Sequence, residues 1–307
     1  MANPFKYQEQ VKLLLRILPF VAEENCFALK GGTAINLFVR DFPRLSVDID
    51  LVYLPSHGRT EALTEIKQAL ERISTRIKSA IPQIKITKSY EDKNDALRLV
   101  VNYLSTTVQI ELSPVLRGVV FPPEIRSVSD AVEDEFGYVE MRLVSTADIY
   151  AGKLCAAFDR QHPRDFFDVS LLLKNEGINQ SLRQAFIVYL ISHPRPMEEV
   201  LNPRWKDISA TYQHEFVGMT RQEVSLTELE SAAQAALSML ITSFSKSEKE
   251  LLLSIYSDTP KWQYLPFEHI KDLPAIKWKL LNISKMSEEK RLESIQALKQ
   301  VLFTPFK

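Results

Sequence analysis

The sequence predicts an α+β fold, with strands and helices up to about residue 140 and a helical domain over residues 141–307. Two observations carry this prediction. Before residue 140, two stretches alternate apolar and polar residues, which is typical of strands with one buried face. After it, apolar residues recur at spacings of three and four, which is typical of helices that bury one face.

In the N-terminal domain the patterns follow one another in a definite order. The strand LSVDIDLVY should bury Leu45, Val47, Ile49 and Leu51 and present Ser46, Asp48 and Asp50 on its other face. The predicted elements are a helix over 5–20, this strand over 45–53, a helix over 60–80, a hairpin over 98–112 that turns around Ser105 and Thr106, and a connection over 121–130.

The C-terminal domain consists of a series of predicted helices. One of them should end at Gly177, a residue type that commonly terminates helices. Ser245 and Glu248 have the spacing of a capping box at the start of another. The predicted helices cover residues 145–160, 164–177, 180–192, 228–243, 246–256 and 287–303.

Composition excludes several classes of protein. The 307 residues carry a formal net charge of −1, so any binding of nucleic acid requires a local basic patch. Cys26 and Cys155 both lie among apolar residues, which predicts two buried free thiols in a reducing compartment. Neither a signal peptide nor an apolar run long enough to span a bilayer occurs, so we expect a cytoplasmic protein without a membrane segment.

A pair of carboxylates is the first candidate site. Asp48 and Asp50 are two residues apart on the predicted strand, so both side chains point to the same side. Such a pair can share a Mg²⁺ ion and leave open positions for phosphate oxygens. Glu111, on the polar face of the predicted hairpin, is the candidate third acid. It would ligate a second metal ion or accept the proton of an attacking hydroxyl.

A glycine pair precedes these acids. Gly31 and Gly32 are two of only 8 glycines, and they lie between an apolar strand and a predicted helix. Without a Cβ the backbone allows a phosphate to approach closely, and a helix start offers free N–H groups. Thr33 adds a hydroxyl donor.

A second charged cluster lies in KLCAAFDRQHPRDFFD. Lys153 and Arg160 are seven residues apart on one helical face, and Arg164 and Asp165 open the next helix, where Asp165 and Asp168 share a face. The cluster predicts a cationic clamp for a triphosphate, with the acids orienting the cations. The alternative for this cluster is a structural ion-pair network. For Asp48 and Asp50 the alternative is a solvated sheet face, and for Gly31 and Gly32 it is an ordinary turn.

The motifs together resemble a known family. LKGGTAINL followed by RLSVDIDLVY is similar to the nucleotidyltransferase superfamily that includes DNA polymerase β, and the form with Gly32 and Thr33 resembles the AbiEii toxins, whose mycobacterial relatives are the MenT toxins. The resemblance covers about residues 27–174 and implies a polymerase β-like domain with a mixed sheet. Val169 departs from the leucine common at its position in the second motif.

The resemblance implies roles for individual residues. A lysine and an aspartate of the second motif are required in the family, which points to Lys153 and Asp165. Asp48 and Asp50, with Glu111, would then hold Mg²⁺. The nucleotide-binding residues would be Lys30, Gly31, Gly32, Thr33, Ser46, Arg160, Arg164 and Asp168, with the helical domain completing a cleft for the nucleoside triphosphate (NTP).

The implied activity is transfer of a nucleoside monophosphate from an NTP to an RNA hydroxyl, namely the 3′ end of tRNA. Growth arrest or abortive phage infection would follow, and an AbiEi-like antitoxin would be encoded nearby. Two alternatives stay open at this point. The acceptor could be a small molecule, which the near-neutral charge favours, or the chain could be a non-catalytic NTP-binding sensor. The sensor is disfavoured because it has no need for a metal-chelating pair.

Overall fold

A computed structural model describes residues 4–92, 96–257 and 259–304. The chain divides into two compact units. The first contains residues 1–145 together with the short segment 217–223, and the second contains residues 146–216 and 224–307.

The first unit contains a seven-stranded mixed sheet in the order β3-β4-β5-β2-β1-β7-β6. Strand β2 lies near its centre, antiparallel to β1 and parallel to β5, and β1 is in turn parallel to β7. The other neighbours are antiparallel. The strands are β1 (Phe27–Lys30), β2 (Asp48–Tyr53), β3 (Lys85–Lys88), β4 (Arg98–Tyr103), β5 (Thr106–Leu112), β6 (Glu124–Ser127) and β7 (Glu140–Leu143).

Among the described residues of this unit, five helices accompany the sheet. The long helix α3 buries Ile66, Leu70, Ile73 and Ile77, the repeat at helical spacing that predicts it. The helices are α1 (Pro4–Ala22), α2 (Gly31–Ala34), which a π-helical turn (Ile35–Val39) continues, α3 (Arg59–Ala80), α4 (Ser89–Asp92) and α5 (Asp130–Phe136).

The second unit is helical among its described residues. In its core the ring of Phe186 contacts the rings of Phe158 and Phe244. Its elements are α6 (Thr146–Arg160), α7 (Pro163–Asn175), α8 (Gln180–Ser192), α9 (Met197–Leu201), α10 (Ser209–Glu215), α11 (Leu226–Ser243), α12 (Lys246–Ser254), α13 (Pro274–Ser284), α14 (Glu288–Phe303) and two 3₁₀ turns (Trp262–Tyr264 and His269–Asp272).

The expected strand over residues 45–53 begins only at Asp48. Leu45 and Val47 are half-buried, so the predicted alternation of burial was wrong for the first three residues. The reason is a pairing with the segment 217–223, which is distant in sequence. Leu45 N–H donates to the Met219 carbonyl at 3.0 Å, and Arg44 forms a bridge with Thr220.

Three further expectations needed correction. The hairpin turns at Leu104–Ser105, one residue earlier than predicted, and Leu104 has a positive φ of 52°. The expected connection over 121–130 contains the edge strand β6. Both cysteines are free thiols, but only Cys155 is buried, because Cys26 lies in the loop that precedes β1.

Within the described residues, no helix is both long enough and apolar enough to cross a membrane.

Candidate active site

The turn from β1 into α2 brings Gly31 against Asp50, one member of the acid pair. Gly31 has φ of +76°, a conformation that side chains with a Cβ rarely adopt. A Cβ at this position would overlap the carboxylate of Asp50. The glycine is therefore required twice, by the backbone conformation and by the close approach of Asp50.

The second glycine faces another pair of side chains. A Cβ at Gly32 would lie 2.7 Å from Ser46 Oγ and 2.8 Å from Arg44 Nη2. The Gly32 carbonyl accepts a hydrogen bond from Asn36 Nδ2 at 2.8 Å. Sequence reasoning missed Arg44 and Asn36. In the sequence, only the position of Arg44 and Asn36 between the GG and D-x-D motifs indicates that they lie near the site.

The hydroxyl of Thr33 holds the start of β2. It is fully buried and donates to the Asp48 carbonyl at 2.5 Å, and Ser46 Oγ lies 3.1 Å away. Because a hydroxyl carries one proton, the bond between the two hydroxyls is donated by Ser46. Thr33 thus fixes the strand that carries the acids, while its predicted contact with phosphate stays a prediction.

Four charged residues form a row across neighbouring strands. Arg98 on β4 is the register partner of Glu111 on β5, and Glu111 is the partner of Asp50 on β2. Asp50 is in turn the partner of Lys30 on β1. Register partners on adjacent strands point to the same face of a sheet. The row therefore places two carboxylates side by side, with a cation at each end.

The field of this row acts on Glu111. Burial raises its pKa, Arg98 opposes that rise, and Asp50 and Asp48 raise the pKa further. Asp50 and Asp48 therefore lie close enough to act on Glu111. Arg98 Nε is 2.7 Å from Glu111 Oε1, a contact that sequence reasoning missed because the turn was placed one residue late.

These acids have the chemistry of a divalent metal site, since Mg²⁺ prefers carboxylate oxygens. Asp48 and Asp50 are both half-buried on a strand whose intervening residue, Ile49, is fully buried. Among the described residues, no three His, Cys, Asp or Glu side chains are grouped closely enough to hold a metal ion. Asp48 and Asp50 as ligands of a first ion, and Glu111 as a further ligand, therefore stay predictions.

The second unit gathers the other predicted residues around one buried lysine. Lys153 Nζ lies 2.8 Å from Asp165 Oδ1 and 3.0 Å from Asp168 Oδ2. Both aspartate side chains are fully buried, and the lysine side chain is 6% exposed. Arg160 binds Asp165 with two nitrogens, at 2.5 and 2.8 Å, while 60% of its side chain stays exposed.

Electrostatics explain why Asp165 tolerates this burial. Burial alone would raise its pKa, but Lys153 and Arg160 outweigh that effect and hold the pKa well below its usual range. Asp165 is therefore an anion paired with two cations, and its role in a triphosphate clamp stays a prediction. Lys153 is enclosed and Arg160 reaches solvent, which is a difference that spacing along the helix did not reveal.

The residue His162, between α6 and α7, caps the start of α7. His162 Nδ1 accepts a hydrogen bond from the Arg164 backbone N–H at 3.1 Å, and His162 Nε2 lies 3.1 Å from Glu215 Oε2. The guanidinium of Arg164 lies 4.0 Å from the same carboxylate. Burial lowers the pKa of His162, which favours the neutral ring that this cap requires. His162 thus secures the start of α7 and the position of Asp165.

Comparison with known proteins found a similar fold and a matching family. The nucleotidyltransferase toxin MenT4 from Mycobacterium tuberculosis H37Rv has a similar fold, with a TM-score of 0.60 and 14% sequence identity over 96% of this chain and 93% of that one. Curated protein sequences include no significant match. The sequence profile described as "Nucleotidyl transferase AbiEii toxin, Type IV TA system" matches residues 12–263. Since the match spans most of the chain and includes both charged clusters, the protein belongs to the AbiEii family of nucleotidyltransferase toxins of type IV toxin–antitoxin systems.

Proposed function

We propose that the enzyme transfers a nucleoside monophosphate from an NTP to an RNA hydroxyl, the 3′ end of tRNA, in a Mg²⁺-dependent reaction. The observation that carries the proposal is the placement of Asp50 against the Gly31 turn, with Asp48 on the same strand and Glu111 in register with Asp50 on the next strand. Carboxylates beside a tight glycine turn suit a metal-bound triphosphate.

The proposed reaction is an in-line displacement. The acceptor hydroxyl attacks the α-phosphorus, a phosphodiester bond forms, and the bond to the β-phosphate breaks to release pyrophosphate. Asp48 and Asp50 would hold Mg²⁺, with Glu111 as a third ligand or as the group that takes the proton of the hydroxyl. Bound there, the metal ion would offset the negative charge of the phosphates.

Backbone and cationic groups complete the proposed binding of the nucleotide. The N–H groups of Gly31 and Gly32 lie at a helix start, where they favour an anion, and Lys30 and Ser46 lie close by. In the helical unit we assign charge neutralisation of the triphosphate to Arg160 and Lys153, with Arg164 near them. Arg160 is the more accessible of the first two.

The biological part of the proposal is growth arrest or abortive phage infection. A type IV toxin implies an antitoxin, and we propose that it is AbiEi-like and encoded nearby. The proposed compartment is the cytoplasm, because both tRNA and NTP are found there.

Transfer of label tests the proposal. The purified protein is incubated with Mg²⁺, each α-³²P-labelled NTP in turn and total bacterial tRNA. We expect label on tRNA from at least one NTP, loss of that label in Asp50→Asn, and its retention in Asp41→Asn, an exposed aspartate of the same unit. Periodate oxidation destroys the 3′-terminal hydroxyls of tRNA and should abolish labelling.

Other outcomes separate the alternatives. Measurable NTP binding without label on tRNA would exclude tRNA as the acceptor. Pyrophosphate release with a small-molecule extract would then indicate a small-molecule hydroxyl, and NTP binding without turnover would indicate a sensor. Induced expression in a bacterial host should arrest growth with the wild-type protein and with Asp41→Asn, and should not do so with Asp50→Asn.

A further inference from the structure

Arg98 forms an ion pair with Glu111, the carboxylate that the proposed reaction needs as a metal ligand or a base. Its Nε lies 2.7 Å from Glu111 Oε1, and neither side chain is buried, with 47% and 36% exposure. The two residues are direct partners in the β4–β5 ladder, so the backbone holds them opposite each other. Glu111 therefore already has a cationic partner, which is a side chain of the protein and not a metal ion.

The contact is not an ordinary pair on a solvated strand. Glu111 also faces Asp50 in the β2–β5 ladder, so removing Arg98 would leave two neighbouring carboxylates with no cation between β4 and β2. Lys30 compensates from the far side of Asp50. Arg98 thus supplies positive charge at the place where a second divalent cation would supply it.

Because Arg98 is exposed, a metal ion can replace its guanidinium beside Glu111. An exposed ion pair is weak, because solvent and salt screen it and two long side chains must be ordered. A guanidinium with about half of its side chain in solvent can release a carboxylate without leaving a buried charge unpaired. A divalent cation between two carboxylates attracts each of them with twice the charge.

We propose that Arg98 is an exchangeable counter-ion that occupies Glu111 until a second divalent cation replaces it. The inference rests on the proposed metal-dependent function and adds a positioning residue to it. Arg98 prevents repulsion between Glu111 and Asp50 in the absence of the second ion, and it competes with that ion for Glu111. Its role is exerted through Glu111, without contact with the substrate.

Metal binding without nucleotide tests this proposal by a readout other than activity. The full-length protein is titrated with Mn²⁺, and free Mn²⁺ is measured by electron paramagnetic resonance. We expect Arg98→Gln to bind the weaker Mn²⁺ ion up to about fivefold more tightly than wild type, which is the upper range for loss of an exposed ion pair. Arg126→Gln, which removes a similar exposed Arg–Glu pair on β6, should bind Mn²⁺ as wild type does.

A double variant links the effect to Glu111. In Arg98→Gln/Glu111→Gln the gain in affinity should disappear. Arg98→Lys, which keeps the charge, should stay close to wild type. The proposal is overturned if Arg98→Gln binds Mn²⁺ no more tightly than wild type, or if the gain persists without Glu111. Thermal melting checks that the variants fold. If Arg98→Gln does not fold, Arg98→Met is compared with Arg98→Lys instead.

The same titration distinguishes failure of this inference from failure of the proposed function. If Asp50→Asn does not reduce Mn²⁺ binding, the proposed metal site is wrong and this inference falls with it. If Asp50→Asn abolishes the tighter ion and Arg98→Gln changes nothing, the metal site stands and only the role of Arg98 is rejected.

Discussion

At the scale of single residues, the candidate site depends on neighbours that hold each acid in place. Asp50 packs against a glycine that has no room for a Cβ, and the carbonyl of Asp48 accepts the hydroxyl proton of a fully buried Thr33. Glu111 is held by Arg98. Such contacts matter because phosphoryl transfer depends on the position of the reacting groups.

Gly31→Ala tests the close approach to Asp50. The new methyl group would displace the carboxylate, so we expect nucleotidyl transfer to fall by roughly 100-fold, as small misplacements of reacting groups can cost that much. Gly137→Ala is the matched control, because Gly137 also has a positive φ (+98°) but has nothing within 4 Å of an added Cβ. Equal loss of activity in both variants would show that backbone strain alone is responsible.

The lowered pKa of Asp165 predicts how the free energy of unfolding depends on pH. Lys153 and Arg160 hold its folded-state pKa below the unfolded value of about 3.9, so its stabilising effect is present above that pH and is lost as the pH falls. We expect the free energy of unfolding, measured with urea, to decrease below about pH 4.

Two variants test the origin of this decrease. Asp165→Asn should be less stable at neutral pH and should lose less stability on acidification. Asp272→Asn, which removes an ion pair with side chains about 60% exposed, should change neither property greatly. An acid-induced loss as large in Asp165→Asn as in the wild type would contradict the assignment.

At the scale of elements, helix starts and strand registers fix the local architecture. Ser225 with Glu228 and Ser245 with Glu248 form capping boxes at the starts of α11 and α12. The register of β4, β5, β2 and β1 aligns the charged row, because register partners share a face. Helix caps are local in sequence, whereas the row requires four strands from separate parts of the chain.

The two capping boxes differ in their surroundings, which gives a matched test. Glu248 is buried and also binds Arg183 Nε through both oxygens at 3.0 Å, whereas the cap made by Glu228 is exposed. We expect Glu248→Ala to lower the free energy of unfolding by on the order of 3 kcal/mol and Glu228→Ala by about 1 kcal/mol. Urea unfolding measures both, and equal losses would show that the contact with Arg183 contributes little.

At the scale of the whole molecule, the chain leaves the first compact unit at residue 145 and contributes to it again over residues 217–223. Arg221 N–H donates to the Pro43 carbonyl at 3.1 Å, next to the bond from Leu45 to Met219. This segment therefore anchors residues 43–45, which lead directly into Asp48. The position of the acids depends on a part of the chain that is distant in sequence.

Arg221→Pro tests this anchor, because proline has no N–H to donate. Arg221→Ala is the control, since it keeps the N–H but loses the ion pair with Glu135 and the contact with the Phe42 ring. We expect Arg221→Pro to be less stable than Arg221→Ala by about 1–3 kcal/mol and to transfer label more slowly. Equal stability and equal rates in the two variants would argue against a role for the backbone bond.

The sequence alone determined the features that are local in the chain. The GG and D-x-D motifs, the capping box of Ser245 and Glu248 and most helices followed from residue spacing, because caps, turns and helical faces involve residues a few positions apart. The capping box of Ser225 and Glu228 was not predicted, and the family was indicated by the resemblance of the motifs. The mixed sheet was implied by the resemblance to that family, and the structure confirms it.

Only the tertiary structure decided which distant residues meet. Arg98 joins Glu111 through a hairpin whose turn lies one residue earlier than the pattern indicated, and a shift of this size changes every partner in the ladder. Likewise, the pairing of residues 43–45 with 217–223 keeps Leu45 and Val47 out of the sheet. The physical reason is that register and long-range pairing depend on the packing of the whole unit, which spacing along the chain does not encode.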